Sequence, residues 1–195
     1  MKKVGIDLGL SDNEKITLLK LARDTIKAKA SGEKLPKISE LGDKLTSLLK
    51  EKRGAFVTLH KKEQLRGCIG YIEGFKPLAE TIQEMAISAG FQDPRFPPVQ
   101  QEEVNKLDIE ISVLTPLKLI QDIKEIEVGK HGIYIKSGSY SGLLLPQVAT
   151  ENNWDREKFL SQTCRKAGLG MDEWKKKSTE IYIFSADIFG EKDFS

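Results

Sequence analysis

The sequence predicts an α+β fold with a mainly antiparallel sheet and flanking helices. Segments whose apolar residues recur at helical spacing are mixed along the chain with segments that alternate apolar and polar residues. Several neighbouring strand segments are joined by only a few residues, too few for the crossover connection that parallel strands need. With 195 residues, the chain is long enough to bury a core without disulfide or metal crosslinks.

Helices and strands are predicted along most of the chain. In order, they are a helix over 12–30, a short helix near 39–50, strands near 54–60 and 64–71, a helix over 77–90, a strand over 107–114, strands over 131–138 and 140–149, a helix over 155–167 and a strand over 179–189.

Local signals set the ends of the helices. Ser11 and Glu14 have the spacing of a capping box, which begins the first helix. Pro77 suits the first turn of the next long helix, and Gly90 is expected to end it. Cys164 lies on the apolar stripe of its helix, so we expect this cysteine in the core.

Alternation and prolines mark the strands and the loops. In the strand over 107–114, the apolar residues face one side and Glu110 lies on the polar side. Pro146 interrupts the hydrogen-bonded ladder after an apolar run, so Gln147 is expected at a strand end that opens on the site. Three prolines within 94–98 exclude regular structure and make that segment stiff.

The register of the hairpin decides which side chains share a face with Cys68. A loop of residues 61–63 predicts three opposing pairs, His60 with Gln64, Thr58 with Arg66, and Phe56 with Cys68. The apolar residues Val57, Leu59, Leu65 and Ile69 then share the other face. A loop one residue shorter would set Arg66 against Leu59, which the hydrophobic pattern disfavours. We therefore predict that Arg66 and Thr58 lie on the face of Cys68.

Composition and motifs exclude several classes of protein. Thirty-one Lys and Arg against 29 Asp and Glu give a net charge of +2, too balanced for the basic surface that nucleic-acid binding needs. No apolar run has the length of a membrane span or a secretory signal, so a cytoplasmic protein is expected. Two cysteines and two histidines give no metal-ligand cluster, and no dinucleotide, Walker or zinc-protease motif occurs. We expect neither a bound metal nor a cofactor.

Four segments of the chain together carry a family signature. They are LRGCIGYIEGFKPLAETI at 65–82, DPRFPPV at 93–99, LDIEISVLTP at 107–116 and HGIYIKSGSYSGLLLPQVA at 131–149. In this combination they resemble the AMMECR domain, named after the human product of a chromosomal region linked to Alport syndrome, midface hypoplasia and elliptocytosis. The resemblance covers residues 12–190 as one domain of two intertwined subdomains, with 1–11 as a variable leader and 191–195 as a tail.

The resemblance implies more about shape and partners than about chemistry. It implies a larger and a smaller subdomain around a cleft where the shared residues gather. It also implies Memo-like and radical-SAM proteins as partners, because such domains occur fused to them or encoded beside them. It implies no particular reaction.

The candidate site is centred on the LRGCIG motif. The predicted catalytic residues are Cys68 as nucleophile with His131 and Glu110 as acid–base groups, and the predicted ligand-binding residues of the cleft are Arg66, Gly67, Gly70, Asp93, Arg95 and Gln147. A nearby arginine lowers the pKa of a thiol, and an arginine also binds an anion through two hydrogen bonds. We therefore expect the site residues to converge on one concave surface.

Each candidate also has a structural alternative. Cys68 suits a small buried hydrophobic residue, and the glycines beside it suit close backbone packing. Asp93 and Arg95 suit an ion pair that fixes their loop to the sheet. Glu110 suits an exposed strand face, and His131 suits a turn in which the ring bonds to backbone.

Two functions follow from these residues. The first is thiol-dependent chemistry on an anionic small molecule, bound in a cleft around Cys68. The second is a non-catalytic binding module or adaptor for a Memo-like or radical-SAM protein. Rapid thiol alkylation near neutral pH would favour the first function, because a buried thiol reacts slowly.

Overall fold

The fold is α+β with antiparallel strand pairing, which confirms the predicted class. A computed structural model describes residues 4–194 of the chain, so the ends of the predicted leader and tail lie outside the described residues. The chain divides into two compact units. The larger unit contains Gly9–Val113 and residues 188–194, and the smaller unit contains Leu114–Asp187 and residues 4–8.

The α-helices and β-strands of the described residues follow in chain order. They are α1 (Asp12–Ser31), β1 (Ala55–Lys61), β2 (Gln64–Tyr71), α2 (Leu78–Phe91), β3 (Leu107–Leu114), β4 (Lys118–Ile120), β5 (His131–Ser137), β6 (Tyr140–Leu144), α3 (Pro146–Glu151), α4 (Arg156–Lys166) and β7 (Glu180–Gly190). Short 3₁₀ helices fill several connections, among them Ile38–Lys44, Leu48–Lys50 and Gln101–Lys106.

In the larger unit, β1 lies between β2 and β3 and pairs antiparallel with both. Helix α2 packs on β1 and β2, and α1 packs on α2. The alternating residues Val57, Leu59, Ile109 and Ile111 are fully buried, as the strand pattern predicts. The predicted capping box is present, because Ser11 and Glu14 exchange side-chain and backbone hydrogen bonds at the start of α1.

The predicted hairpin register is wrong. The turn contains only two residues, Lys62 and Glu63, and both have positive φ, as a tight hairpin turn requires. The three predicted pairs are replaced by His60 with Leu65, Thr58 with Cys68, and Phe56 with Gly70. Arg66 is left without an opposing residue, because the register shifts between Leu59 and His60.

With the shorter turn alone, Arg66 would oppose the buried Leu59, and a β-bulge at Arg66 avoids this pairing. One extra residue in β2 lets Gly67, rather than Arg66, oppose Leu59, and Ile69 then opposes Val57. Leu65, predicted on the apolar face, instead lies opposite His60 and is 41% exposed. Cys68 shares a face with Thr58 as predicted, although through a different register.

Two predicted element ends are also wrong. Helix α2 continues past Gly90 to Phe91, and Gly90 lies inside its last turn, near Val99, Leu59 and Ile26. The strand predicted over 140–149 stops at Leu144, because Pro146 begins helix α3. Proline suits the first helical position, where its missing N–H would have no partner.

In the smaller unit, β5 and β4 both pair antiparallel with β7, and β6 pairs with β5. One face of these strands packs with α4 around a core of isoleucines and Phe159. Cys164 is fully buried in this core, which confirms the prediction for it. Within residues 4–194, none of the helices is long and apolar enough to cross a membrane.

The segments next to both ends of the described chain are hydrogen-bonded into the units. In the smaller unit, the Gly5 and Ile6 N–H groups donate to the carbonyls of Gly129 and Ala186, each at 2.8 Å. In the larger unit, the Glu191 carboxylate accepts from the Arg23 guanidinium and from the Ile109 N–H.

Candidate functional site

Cys68, Thr58 and Glu110 form a row across the three strands of the larger unit. Thr58 of β1 lies opposite Cys68 of β2 and opposite Glu110 of β3, so all three side chains occupy one sheet face. The Thr58 hydroxyl donates to the Cys68 Sγ at 3.2 Å. Cys68 and Glu110 are half-buried, and Thr58 is buried. The thiol is therefore neither sealed in apolar packing nor without a polar neighbour.

An ion pair from the stiff 93–98 segment holds the backbone of Cys68. The Cys68 N–H donates to Asp93 Oδ2 at 2.9 Å, and Arg95 Nη2 donates to the Cys68 carbonyl at 3.2 Å. Arg95 also donates twice to Asp93, from Nε at 2.9 Å and from Nη2 at 2.7 Å. The structure thus forms the Asp93–Arg95 network that fixes the loop to the sheet.

This arrangement keeps Asp93 ionised over almost the whole pH range. Hydrogen bonds from Arg95 are the main reason that its pKa falls to about 2, with smaller contributions from the Cys68 and Arg95 N–H groups. The pKa of Arg95 is raised, first by the Asp93 hydrogen bonds, and the charge of a Cys68 thiolate also contributes. Asp93 is 1% exposed, whereas the Arg95 side chain is 42% exposed and lies over the Phe96 ring.

Arg66 takes part in a different ion pair. Its guanidinium donates to Glu103 from Nε at 2.9 Å and to the Pro97 carbonyl at 2.8 Å. Lys61, which occupies the same face of β1 as Val57, donates to the same Glu103 carboxylate. These bonds lower the Glu103 pKa to about 2, chiefly through Arg66. The bulge therefore directs Arg66 to the side of Lys61, and the predicted common face with Cys68 is wrong.

The glycines of the LRGCIG motif allow close packing. A Cβ at Gly67 would lie 2.1 Å from the Ala89 carbonyl oxygen of α2, so only glycine fits beneath that helix. A Cβ at Gly70 would lie 2.3 Å from the Phe56 ring. Both contacts agree with the structural alternative for these glycines.

A pocket of about 290 Å³ lies at the Glu110 end of the row, within the larger unit, and neither Thr58 nor Cys68 lines it. Glu110 lines it, together with His60, Glu63, Asp108, Lys192 and Asp193. Sequence patterns do not identify His60 as a site residue, although its spacing of two from Thr58 places both on one strand face. They do not identify Glu103 either, although it has capping-box spacing from Gln100. Among the residues that the structure describes, no three His, Cys, Asp or Glu side chains are grouped to hold a metal ion.

His131 and Gln147 lie in the smaller unit, and their convergence with Cys68 stays a prediction. His131 Nδ1 accepts the Glu127 N–H at 3.1 Å, which is the turn contact that the structural alternative describes. Burial, followed by the charge of Lys130, lowers the pKa of His131. The ring is therefore held neutral, with Nε2 carrying its proton.

Comparisons with known proteins agree with the sequence resemblance. A family model described as AMMECR1 matches residues 19–189. A Methanosarcina barkeri protein is 48% identical over 94% of this chain and 93% of the relative. A Methanothermobacter thermautotrophicus protein is 47% identical over 93% and 96%. The solved structure of an uncharacterised Pyrococcus horikoshii protein has a TM-score of 0.88 and 41% identity over 94% of both chains.

Proposed function

The chain belongs to the AMMECR1 family, and we propose that in this chain Cys68 is the nucleophile of a thiol-dependent activity on a small electrophilic molecule. The observation that carries this proposal is the polar, partly accessible environment of the Cys68 thiol. Cys68 is half-buried on a polar sheet face and accepts a hydrogen bond from Thr58. A hydrogen bond donated to the sulfur favours the thiolate over the thiol, and the thiolate is the reactive form.

The surroundings of Cys68 supply parts of such a reaction. The thiolate would form a bond from Sγ to an electrophilic carbon while the leaving group departs with its electron pair. The proton released from the thiol would pass to the Glu110 carboxylate, which lies across Thr58 on the same face, or to solvent. The backbone bonds from Asp93 and Arg95 would keep the sulfur in place during attack.

The pocket at the Glu110 end of the row favours a neutral or cationic ligand. Four carboxylates and one lysine line it, and an anion would be repelled by this excess of negative charge. The anionic molecule that the sequence suggests would need Arg66 or Arg95, and both already bind carboxylates. Binding of an anion by Arg66 or Arg95 stays a prediction from the sequence. For the pocket, we propose a neutral or cationic ligand.

The test is the pH dependence of alkylation by iodoacetamide, with the modified residue identified by mass spectrometry. We expect label on Cys68, little label on buried Cys164, and a midpoint below the value of about 8.5 for a free thiol. Thr58→Val should raise that midpoint, because it removes the hydroxyl donor. The matched control is Thr81→Val, at a buried threonine of α2. A midpoint equal to that of a free thiol, or no labelling of Cys68, would contradict the proposal.

One observation favours the adaptor function instead. Phe75 follows the LRGCIG motif, is 61% exposed, and packs edge-to-face on Tyr71 with the ring centroids 6.0 Å apart. Exposed aromatic side chains are common anchors of protein interfaces. Binding of a purified Memo-like or radical-SAM protein that is lost in Phe75→Ala, combined with an unreactive Cys68, would establish this second function.

A further inference from the structure

We infer that Arg95, held in place by Asp93, is the positioning residue that keeps positive charge beside the Cys68 thiolate, and that Arg66 does not have this role. The inference rests on the proposed function of Cys68 and names the residue that would tune it. The sequence offers both Arg66 and Arg95 and predicts Arg66 on the face of Cys68, whereas the fold favours Arg95.

Arg95 is attached by a hydrogen bond to Cys68 itself. Its Nη2 donates to the Cys68 carbonyl at 3.2 Å, so the guanidinium is tied to the residue that carries the thiol. Two further bonds to Asp93 fix the plane of the guanidinium. Asp93 is in turn anchored by the Cys68 N–H. The three residues therefore form one closed set of hydrogen bonds.

The Arg95 guanidinium and a Cys68 thiolate also attract each other electrostatically. A thiolate at Cys68 contributes to the raised pKa of Arg95, and the interaction between two charges is reciprocal. Asp93 cancels part of the guanidinium charge, and water reaches the Arg95 side chain, which is 42% exposed. Both effects weaken the interaction. The Glu110 carboxylate, across Thr58 on the same face, adds a negative charge that opposes the thiolate. We therefore expect a modest change in the titration of the thiol.

The position of Arg66 excludes it from this role. The bulge leaves it unpaired in β2, and its guanidinium binds Glu103 and the Pro97 carbonyl. Lys61 shares that carboxylate from the side of the sheet opposite Thr58. The positive charge of Arg66 is thus paired with Glu103 on the helix side of the sheet, although its guanidinium lies over the same Phe96 ring as that of Arg95.

The experiment measures the pH profile of Cys68 alkylation in the full chain for four variants. Arg95→Gln removes the charge, Arg95→Lys keeps a charge without the two-pronged geometry, and Arg66→Gln tests the rival arginine. Arg53→Gln is the matched control, because Arg53 forms an ion pair with Glu51 in the same unit. Thermal unfolding of each variant shows whether it remains folded.

We expect Arg95→Gln to raise the midpoint of alkylation by about half a pH unit. The alkylation rate at pH 7 should fall only about twofold, because a more basic thiolate is intrinsically more reactive and offsets part of the loss of thiolate. Arg95→Lys should recover part of the shift, Arg66→Gln should move the midpoint less, and Arg53→Gln should leave it unchanged. A merely structural role for Arg95 would expose the thiol and raise the plateau rate at high pH without moving the midpoint.

Three results would overturn the inference. An unchanged midpoint in folded Arg95→Gln, or an equal shift in Arg66→Gln, would contradict the role of Arg95. The proposed function would still stand in either case if the midpoint of the wild type is low. A wild-type midpoint equal to that of a free thiol would overturn both.

Discussion

At the scale of single residues, Asp93 and Arg95 act on β2 as a neighbouring strand would. Within the larger unit β2 is an outer strand, and outer strands expose unpaired N–H and C=O groups. At Cys68 the Asp93 carboxylate accepts the N–H and the Arg95 guanidinium donates to the carbonyl. Two side chains thus bind the backbone N–H and carbonyl of Cys68, and another strand cannot pair with β2 at this position.

His131 supplies a test of stability against pH. Its pKa is lowered in the folded protein, so the unfolded chain binds the proton at a higher pH. The contribution of His131 to the free energy of unfolding is complete above the pKa of about 6.5 in the unfolded chain. It is lost as the pH falls through the lower pKa of the folded protein. We expect wild type to lose stability between pH 7 and 5 relative to His131→Asn, whose amide oxygen replaces Nδ1 as the acceptor. Chemical unfolding at both pH values measures the difference.

His60 is present in both proteins, so their difference in stability isolates the effect of His131. Parallel stability curves for wild type and His131→Asn would show that the hydrogen bond from Glu127 does not depend on the neutral ring.

At the scale of elements, the close contact between β2 and α2 supplies a second prediction. The missing side chain of Gly67 leaves space for the Ala89 carbonyl, which a Cβ would approach to 2.1 Å. Because backbone must shift to admit a methyl group, we expect Gly67→Ala to lower the free energy of unfolding by about 2 kcal/mol. Urea denaturation measures this loss. Gly170→Ala is the control, since nothing lies within 4 Å of its Cβ position, and equal midpoints for the two variants would refute the packing argument.

Periodic patterns predict the elements well, and they predict the register poorly. The capping box at Ser11 and the alternation of β3 are local signals, so they identify α1 and β3 from sequence alone. The register of β1 with β2 depends on the length of the turn and on a bulge at Arg66. The turn length and the bulge depend on turn geometry together with the packing of the whole sheet. A short stretch of sequence does not include the residues that decide this packing.

The same limit applies to the candidate site. Asp93 and Arg95, predicted from the sequence as ligand-binding residues, lie beside Cys68 and bind its backbone, and ligand binding by them stays a prediction. Sequence patterns do not identify Glu103 or His60, because Arg66 is distant from Glu103 in sequence and most residues of the pocket, such as Glu110 and Lys192, are distant from His60.

At the scale of the whole molecule, the larger unit combines two segments that are far apart in sequence. Glu191 joins them, because its carboxylate accepts from Arg23 of α1 and from the N–H of Ile109, a fully buried residue of β3. Glu191→Ala would leave these donors without this acceptor, so we expect a loss of about 2 kcal/mol in the free energy of unfolding.

Urea denaturation of Glu191→Ala measures that loss, and amide hydrogen exchange at Ile109 locates it in β3. The matched control is Glu102→Ala, at an exposed glutamate. If both variants unfold at the same urea concentration, Glu191 does not join the two segments energetically.

The placement of Glu191 has a consequence for synthesis on the ribosome. Ile109 and Glu191 are 82 positions apart, and translation at about 5–20 residues per second separates their appearance by about 4–16 s. During that interval the Ile109 amide and the Arg23 guanidinium of the nascent chain lack the carboxylate that binds both in the finished fold. We therefore expect the larger unit to wait, partly assembled, until residues 188–194 leave the exit tunnel.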